Sequence, residues 1–392
     1  MNSGASGSHW KVPFNRSSLQ GRELDYIMET IGVGQIAGNQ TFSRKCQELL
    51  EQTLQIKKSL LTTSCTHALE MAAMLLKIQP GEEVIVPDFT FVSTPNAFAL
   101  HGARPVFCDI RPDTLNLDES KLDSLITPLT RAIVPVHYAG VGCELDAILE
   151  IAARRQIAVI EDNAHGLFGK YKGRWLGTFG DMAAQSFHET KNLTCGEGGA
   201  LLLNDPKYIE RAEIIREKGT NRARFFRGQV DKYSWVDLGS SYVMSDVLAA
   251  FLYGQLEEWP RIQANRKRRW ELYHRELAGW ASLHGIRQPV FPSHCDPAWH
   301  MYYLILPAPE ARQSLILHLQ ANDILAVFHY QPLHRSEYAI SRWGESPPKP
   351  VSDYVSDRIL RLPLFNSMTD SEQGLVIDAL LRFNPAGSRT IS

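Results

Sequence analysis

The strongest constraint in this sequence is a rhythm in which short, β-branched apolar runs alternate with segments whose apolar residues recur at helical spacing. ValIleVal at 84–86, ProValPheCys at 105–108, AlaIleValProVal at 132–136 and IleAlaValIle at 157–160 are the strand candidates. Just ahead of the last of these, residues 144–155 place Leu145, Ile148, Leu149 and Ala152 on one helical face. Strands that alternate with helices build βαβ units, because a parallel neighbour is reached only through a long crossover. The expected architecture is a mainly parallel sheet covered on both faces by helices. With 392 residues, 44% of them hydrophobic, the chain can bury such a core and a smaller second domain besides.

The pattern changes towards the C-terminus. A helical periodicity from Val243 runs through Met244, Val247, Leu248, Phe251, Leu252 and Leu256, and then into ArgLysArgArg at 266–269, which reads as a solvated helix face. A strand at 301–306, a helix at 310–321 and a strand at 324–328 suggest a compact α+β domain. The boundary falls near residue 256, giving a large domain over 12–256 and a small one over 257–392. No internal repeat or low-complexity tract interrupts either.

Charge and cysteine usage narrow the function. Lys and Arg number 41 against 43 Asp and Glu, a formal net charge of -2. No global field therefore draws nucleic acid or a membrane surface, and an anionic ligand needs a local site. The six cysteines (46, 65, 108, 143, 195 and 295) form no CxxC pair and no metal-ligand spacing. Metal is not expected, and a reducing cytoplasm is the simplest home. The opening MNSGASGSHW lacks a basic segment followed by an apolar one, and no later stretch approaches a membrane span, so neither export nor insertion is expected.

Three features carry the chemistry. LeuLeuThrThrSerCysThrHisAlaLeuGlu at 60–70 ends an apolar run in small hydroxyl residues and begins a helix. A helix N-terminus offers unpaired N–H groups and a partial positive charge, so the turn at 64–66 suits a phosphate dianion, although Ser and Thr also cap helices that bind nothing. Asp162 stands where the strand of AlaValIleGluAspAsnAlaHisGly gives way to a loop, the edge at which α/β sheets collect ligands. A carboxylate there can keep a pyridinium nitrogen protonated, or simply cap a turn. Lys191, in SerPheHisGluThrLysAsn at 186–192, follows a strand over 182–187 and precedes a glycine-rich loop at 196–199. A lysine crowded at a strand end is placed to form an imine, where most lysines are surface charges.

Taken together, SerPheHisGluThrLysAsn, GluGlyGlyAla at 197–200 and ArgGluLysGlyThrAsnArg at 216–222 resemble the DegT/DnrJ/EryC1/StrS sugar aminotransferases. The similarity extends from ValProPheAsn at 12–15 to ArgLeuProLeuPhe at 361–365. It implies the aspartate aminotransferase-like fold of the fold-type I pyridoxal enzymes, a three-layer α/β/α large domain with a smaller α+β C-terminal domain. PheHisGluThrLysAsn and PhePheArgGlyGlnValAspLysTyr at 225–233 look most like the dTDP-4-amino-4,6-dideoxygalactose transaminases of enterobacterial common antigen synthesis. The implied cofactor is pyridoxal 5′-phosphate, with pyridoxamine phosphate as the intermediate form.

Carried onto this chain, the resemblance makes Lys191 the residue that bonds the cofactor and Asp162 the partner of its ring nitrogen. It sets His165 near the phenolic oxygen, Cys65, Thr66 and Ser186 at the phosphate, and Phe91 on the ring face. Where many relatives have a GlyTyrAsn-like segment reaching the phosphate from the neighbouring subunit, this chain has GlySerSerTyr, so Ser241 stands there. A serine hydroxyl can donate to the phosphate but reaches less far than an amide. A homodimer with shared active sites is implied, with residues 220–241 as the shared loop.

The implied reaction moves the amino group of L-glutamate to a nucleotide-linked keto-sugar, giving 2-oxoglutarate. The specific expectation is dTDP-4-dehydro-6-deoxy-D-glucose becoming the galacto-configured 4-amino sugar, a step towards a cell-surface polysaccharide. The residues do not separate C4 from C3 amination, or dTDP from UDP or GDP. Arg224, Arg227 and Lys232 are candidates for the diphosphate, and His300, Tyr330 and His334 for the sugar. A pyridoxamine-dependent sugar 3-dehydratase is the nearest rival, but such relatives carry His where Lys191 stands. A catalytically silent protein on the same fold is the other.

Overall fold

The computed structural model describes residues 10–385; the polar stretch at 1–9, read above as no leader, lies outside them, as do residues 386–392. Among the described residues the strands are β1 (Lys58–Thr62), β2 (Glu83–Pro87), β3 (Arg104–Cys108), β4 (Thr130–Ile133), β5 (Ala158–Asp162), β6 (Lys170–Tyr171), β7 (Arg174–Trp175), β8 (Met182–Ser186), β9 (Gly199–Leu203), β10 (Cys295–Asp296), β11 (Tyr302–Ile305) and β12 (Ile359–Leu362). Seven of them form the central sheet, in the order β1-β9-β8-β5-β4-β2-β3. From β3 to β8 all neighbours are parallel, and β9 runs antiparallel to both β8 and β1. The connection from β8 to β9 spans residues 187–198 and contains no helix. A link without a crossover helix joins antiparallel strands, which explains the single reversed strand.

Side chains alternate across this sheet and so sort into two cores. Leu60, Val86, Ala132, Ile160, Met182, Ala184 and Leu201 face the helix Cys65–Leu75, through Ala68, Leu69 and Ala72. Their neighbours face the other way: Leu61, Ala183 and Leu202 towards the helices Thr41–Leu54 and Asp246–Glu257, and Ile85, Ile133 and Val159 towards the helix Leu145–Arg155. The same parity puts Asp162 and Ser186 on the face of the Cys65–Leu75 helix and Glu161 on the opposite one. Six of the seven expected strands are present; the one placed at 132–136 stops at Ile133, just ahead of Pro135, which has no N–H to continue a ladder.

A further core joins the helices Trp259–Leu283, Pro309–Ala321 and Asp370–Arg382 to β11 and β12, around Tyr273, Leu304, Leu315, Leu360 and Leu380. Val12 belongs to it as well: its N–H donates to Asp323 and its carbonyl accepts from Leu325. The strand expected at 324–328 is absent. That segment bridges Val12 at Ile324 and Arg361 at Val327, and a change of partner within three residues leaves no continuous ladder. ArgLysArgArg is not a wholly solvated face either. Lys267 and Arg268 are exposed, but Arg266 and Arg269, one helical turn apart, are buried. Arg266 donates to the carbonyls of Trp299, His300 and Leu364 and to the Asn366 side chain, fixing the loop that carries His300. No helix of the described residues is long and apolar enough to cross a membrane.

Candidate active site

The carboxyl ends of β1, β2, β5 and β8 converge on a cavity of about 770 Å³. β1 delivers the turn before the helix Cys65–Leu75, where the Ser64 hydroxyl accepts from the His67 N–H at 3.1 Å. Ser64 is thus the cap, while Cys65 and Thr66 in the first turn also line the cavity. Gly199 pairs in register with both Thr62 and Ser186. A Cβ there would come within 2.4 Å of the Ser64 carbonyl carbon and the Cys65 nitrogen. The glycine therefore lets β9 meet the helix N-terminus directly, so that the amide groups of the turn and the Ser186 hydroxyl gather at one end of the cavity.

Asp162 ends β5 at the buried side of the cavity. Its carboxylate accepts from the Thr94 hydroxyl at 2.7 Å and the Ala164 N–H at 3.1 Å. Burial pushes its pKa up, while these donors and the Lys191 charge oppose the rise. Lys191 projects from the β8–β9 loop. Burial lowers its amine to about 8, with Cys65 and Asp162 acting the other way. Its neighbour Asn192 holds the loop: the side-chain amide donates to Ala298 and Gln263, and its oxygen meets His300 Nδ1 at 2.9 Å.

His165 is buried after β5 and stacks on His300, with ring centroids 4.3 Å apart. Burial drives both imidazoles well below their ordinary pKa, so they are neutral at physiological pH. Among the described residues, His165 Nδ1 is buried without a hydrogen-bond partner. The wall opposite the sheet consists of Met301, His329, Tyr330 and Arg361, with Phe14 from the N-terminal segment. The Tyr138 hydroxyl lies 2.6 Å from His329 Nδ1.

Of the residues singled out in the sequence, Lys191, Cys65, Thr66, Phe91, Asp162, His165, Ser186, His300 and Tyr330 line this one cavity. Phe91 is exposed at its mouth rather than packed in the core. His334 does not line it. Its Nδ1 lies 2.8 Å from Asp88, whose carboxylate also accepts the His334 N–H, so the expected sugar contact is a buried structural pair. Arg224 and Arg227 pair with Glu210 and Glu213, Lys232 and Ser241 are exposed, and none of the four lines this cavity. Sequence reasoning missed Thr94, Asn192, His329 and Arg361. Asn192 and His329 sit beside recognised residues, whereas Arg361 opens the ArgLeuProLeuPhe stretch with no local sign that it lines a cavity.

The chemistry of this lining fits pyridoxal 5′-phosphate. Hydroxyls and helix N–H groups at one end suit a phosphate, a carboxylate suits a protonated ring nitrogen, an unpartnered imidazole nitrogen suits a phenolic oxygen, and a partly neutral amine suits the aldehyde. The comparisons agree with it. The model of the DegT/DnrJ/EryC1/StrS aminotransferase family matches residues 18–381. The uncharacterized protein MJ1066 of Methanocaldococcus jannaschii is 32% identical over 377 residues, covering 94% of this chain and 96% of its own length. The aminotransferase TlmJ of Streptoalloteichus hindustanus superposes with a TM-score of 0.85 at 28% identity, over 94% of this chain and 96% of TlmJ. Spr1654 of Streptococcus pneumoniae in its PMP form gives 0.87 at 25% identity, over 94% and 98%. The chain belongs to the DegT/DnrJ/EryC1/StrS aminotransferase family, as a pyridoxal-phosphate-dependent enzyme of the aspartate aminotransferase-like α/β fold.

Proposed function

We propose that this enzyme transfers the amino group of L-glutamate to C4 of dTDP-4-dehydro-6-deoxy-D-glucose, giving dTDP-4-amino-4,6-dideoxy-D-galactose and 2-oxoglutarate. The observation that carries the reaction type is Lys191, a half-buried lysine whose amine desolvation lowers to about 8, in the same cavity as the Asp162 carboxylate. The sugar rests on the likeness of 187–192 and 225–233 to transaminases of that product. A cavity of about 770 Å³ also has the volume of a ligand site that holds more than an amino acid.

In this reading Cys65, Thr66 and Ser186 would hold the phosphate, Phe91 would cover the ring, and His165 would meet the phenolic oxygen. Asp162 keeps the ring nitrogen protonated, and Thr94 keeps Asp162 in place. The bound cofactor supplies an electron sink that lets a carbon bearing nitrogen give up its proton. Lys191 Nζ would hold the cofactor, and the same amine would be the base that takes the proton from the donor's Cα and the acid that gives one to the sugar carbon that gains nitrogen. His300 and Tyr330 face the sugar.

We further propose a homodimer in which residues 220–241 of one subunit complete the cavity of the other, bringing Ser241 to the phosphate and Arg224, Arg227 and Lys232 towards the diphosphate. The division into domains at residue 256 belongs to the same reading. Six free cysteines suit a reducing cytoplasm. Purified enzyme is expected to show a visible band that borohydride bleaches. Lys191→Ala is expected to lack it and to abolish turnover; appreciable steady-state transamination by that variant refutes the assignment. Mass spectrometry after incubation with glutamate and dTDP-, UDP- and GDP-linked 3- and 4-keto-sugars tests the acceptor. A product bearing nitrogen at C3, or on another nucleotide, replaces the sugar named here.

A further inference from the structure

Two amide side chains decide which nitrogen of His300 carries its proton. The Gln263 amide nitrogen donates to the Leu167 carbonyl at 3.2 Å, so its oxygen is the atom turned towards Asn192. The Asn192 amide nitrogen donates to that oxygen at 3.1 Å and to the Ala298 carbonyl at 2.6 Å. A backbone carbonyl has no proton to give, so neither amide can be turned over without setting two acceptors face to face. The Asn192 oxygen is therefore the atom that meets His300 Nδ1, at 2.9 Å. An amide oxygen can only accept, and Nδ1 must carry the proton.

A neutral imidazole holds one proton, so a protonated Nδ1 leaves Nε2 as a bare lone pair. His300 is buried, and the charges that act on it, those of Lys191, Arg266 and Arg361, all oppose a second proton. Asn192 follows Lys191 directly, and its backbone carbonyl accepts from the Asn366 amide at 2.8 Å. The group that sets the tautomer is thus held in the same loop as the reacting amine. Nε2 has no partner among the described residues, and His300 lines the cavity.

A lone pair held at that place fits a hydrogen-bond donor and nothing else. The keto oxygen of the acceptor and the carboxylates of glutamate have no proton to offer, whereas a hydroxyl has. The 4-keto-6-deoxy sugar named above has free hydroxyls at C2 and C3, the second on the carbon next to the one that gains nitrogen. We infer that His300 Nε2 accepts a hydrogen bond from a ring hydroxyl of the acceptor sugar, with Asn192 as the positioning residue that keeps Nε2 unprotonated. His300 then reads the hydroxyl pattern of the sugar and is not the acid that polarises its ketone. The inference rests on the proposed reading that an acceptor sugar enters this cavity.

Both tests use holoenzyme. With histidine labelled in heavy nitrogen, long-range nitrogen–proton NMR spectra are expected to show the His300 ring, assigned by its loss in His300→Asn, with a protonated Nδ1 and a bare Nε2. In Asn192→Ala that preference is lost. A protonated Nε2 in the wild type overturns the inference. In steady-state kinetics, His300→Asn keeps a donor for the Asn192 oxygen and deletes Nε2. It is expected to raise the KM of the keto-sugar by roughly three- to tenfold, the scale of one neutral hydrogen bond. It is also expected no longer to distinguish the sugar from its 2-deoxy or 3-deoxy analogue, whichever the wild type rejects. His300→Gln, whose amide reaches the place of Nε2, recovers part of the loss. Discrimination that survives in His300→Asn overturns the contact, as does a loss confined to the glutamate half-reaction, which would make Lys191 Nζ the donor that Nε2 meets. Should His300→Asn not fold, the wild type still decides, since equal KM values for the sugar and both deoxy analogues exclude a hydroxyl contact. The keto-sugar used is whichever one the enzyme aminates, so another nucleotide or carbon leaves the test intact. Amination of none refutes the proposed function, and the contact with it, while the spectra still report the tautomer.

Discussion

Lys191 works only if part of its population is neutral, because an ammonium can neither bond an aldehyde nor accept a proton. A free lysine side chain has a pKa of about 10.4; burial brings this one to about 8. The neutral fraction therefore rises as pH increases through 8, about two units earlier than for an exposed lysine. The rate at which cofactor-free protein takes up pyridoxal phosphate, followed by absorbance, is expected to climb with pH to a midpoint near 8 and then level off. A midpoint near 10 would show that the amine is solvated. Lys191, Asp162 and the Ser64–Thr66 turn were legible in the sequence because each stands at a strand end, in chain order. His334 was misread because its partner, Asp88, is 246 residues away, and Arg361 was missed because only the assembled fold brings its strand to the cavity.

The β8–β9 connection is the element on which the site depends, since it carries Lys191 between two strands whose residues are all buried. Parity fixes the rest: Asp162 pairs with Ala184, two residues before Ser186, so both polar groups emerge on the face of the Cys65–Leu75 helix. Glu161 points the other way and is held by His137 and by the N–H groups of Gly177, Phe179 and Gly180, at 2.6 to 2.8 Å. That clamp fixes the register of β5 just before Asp162. Gly199→Ala tests the close approach of β9 to the helix. The added methyl would press on the Ser64–Cys65 peptide, which is backbone and cannot rotate away. A loss of about 1–3 kcal/mol in denaturant unfolding is expected, with weaker retention of the cofactor on dialysis. A variant as stable as the wild type would mean that the turn shifts freely and does not hold the phosphate rigidly. Short apolar runs made β2 to β5 and β8 legible, but not β9, whose first residue was read as part of a glycine-rich loop, and the segment at 324–328 forms no strand because its β-rich composition is divided between two partners.

At the scale of the molecule, one subunit leaves apolar surface that its own core cannot use. The helix Glu23–Val33 buries Tyr26 and Thr30 inward, yet Leu24, Met28 and Ile31 form a second stripe at helical spacing on the outside, with Met28 66% exposed. Phe226, Trp235 and Leu238 are likewise exposed in the segment that is proposed to complete a neighbouring site, Trp235 at 75%. Large apolar side chains exposed in such numbers are what an interface would bury. Were it the dimer interface, substituting both Met28 and Trp235 by glutamate would place charges where water is excluded. The double variant is then expected to sediment as a monomer, with its helical content retained and its activity lost. Adding Lys191→Ala subunits that keep the natural interface would restore no activity to it, because the charged face cannot pair. By contrast, mixing Lys191→Ala with Ser241→Ala subunits lets a heterodimer form in which one cavity carries both defects and the other carries neither. If the loop is shared between subunits and Ser241→Ala alone impairs activity, that mixture recovers activity. A mixture no more active than the average of its parents would place Ser241 in the service of its own subunit, or of none.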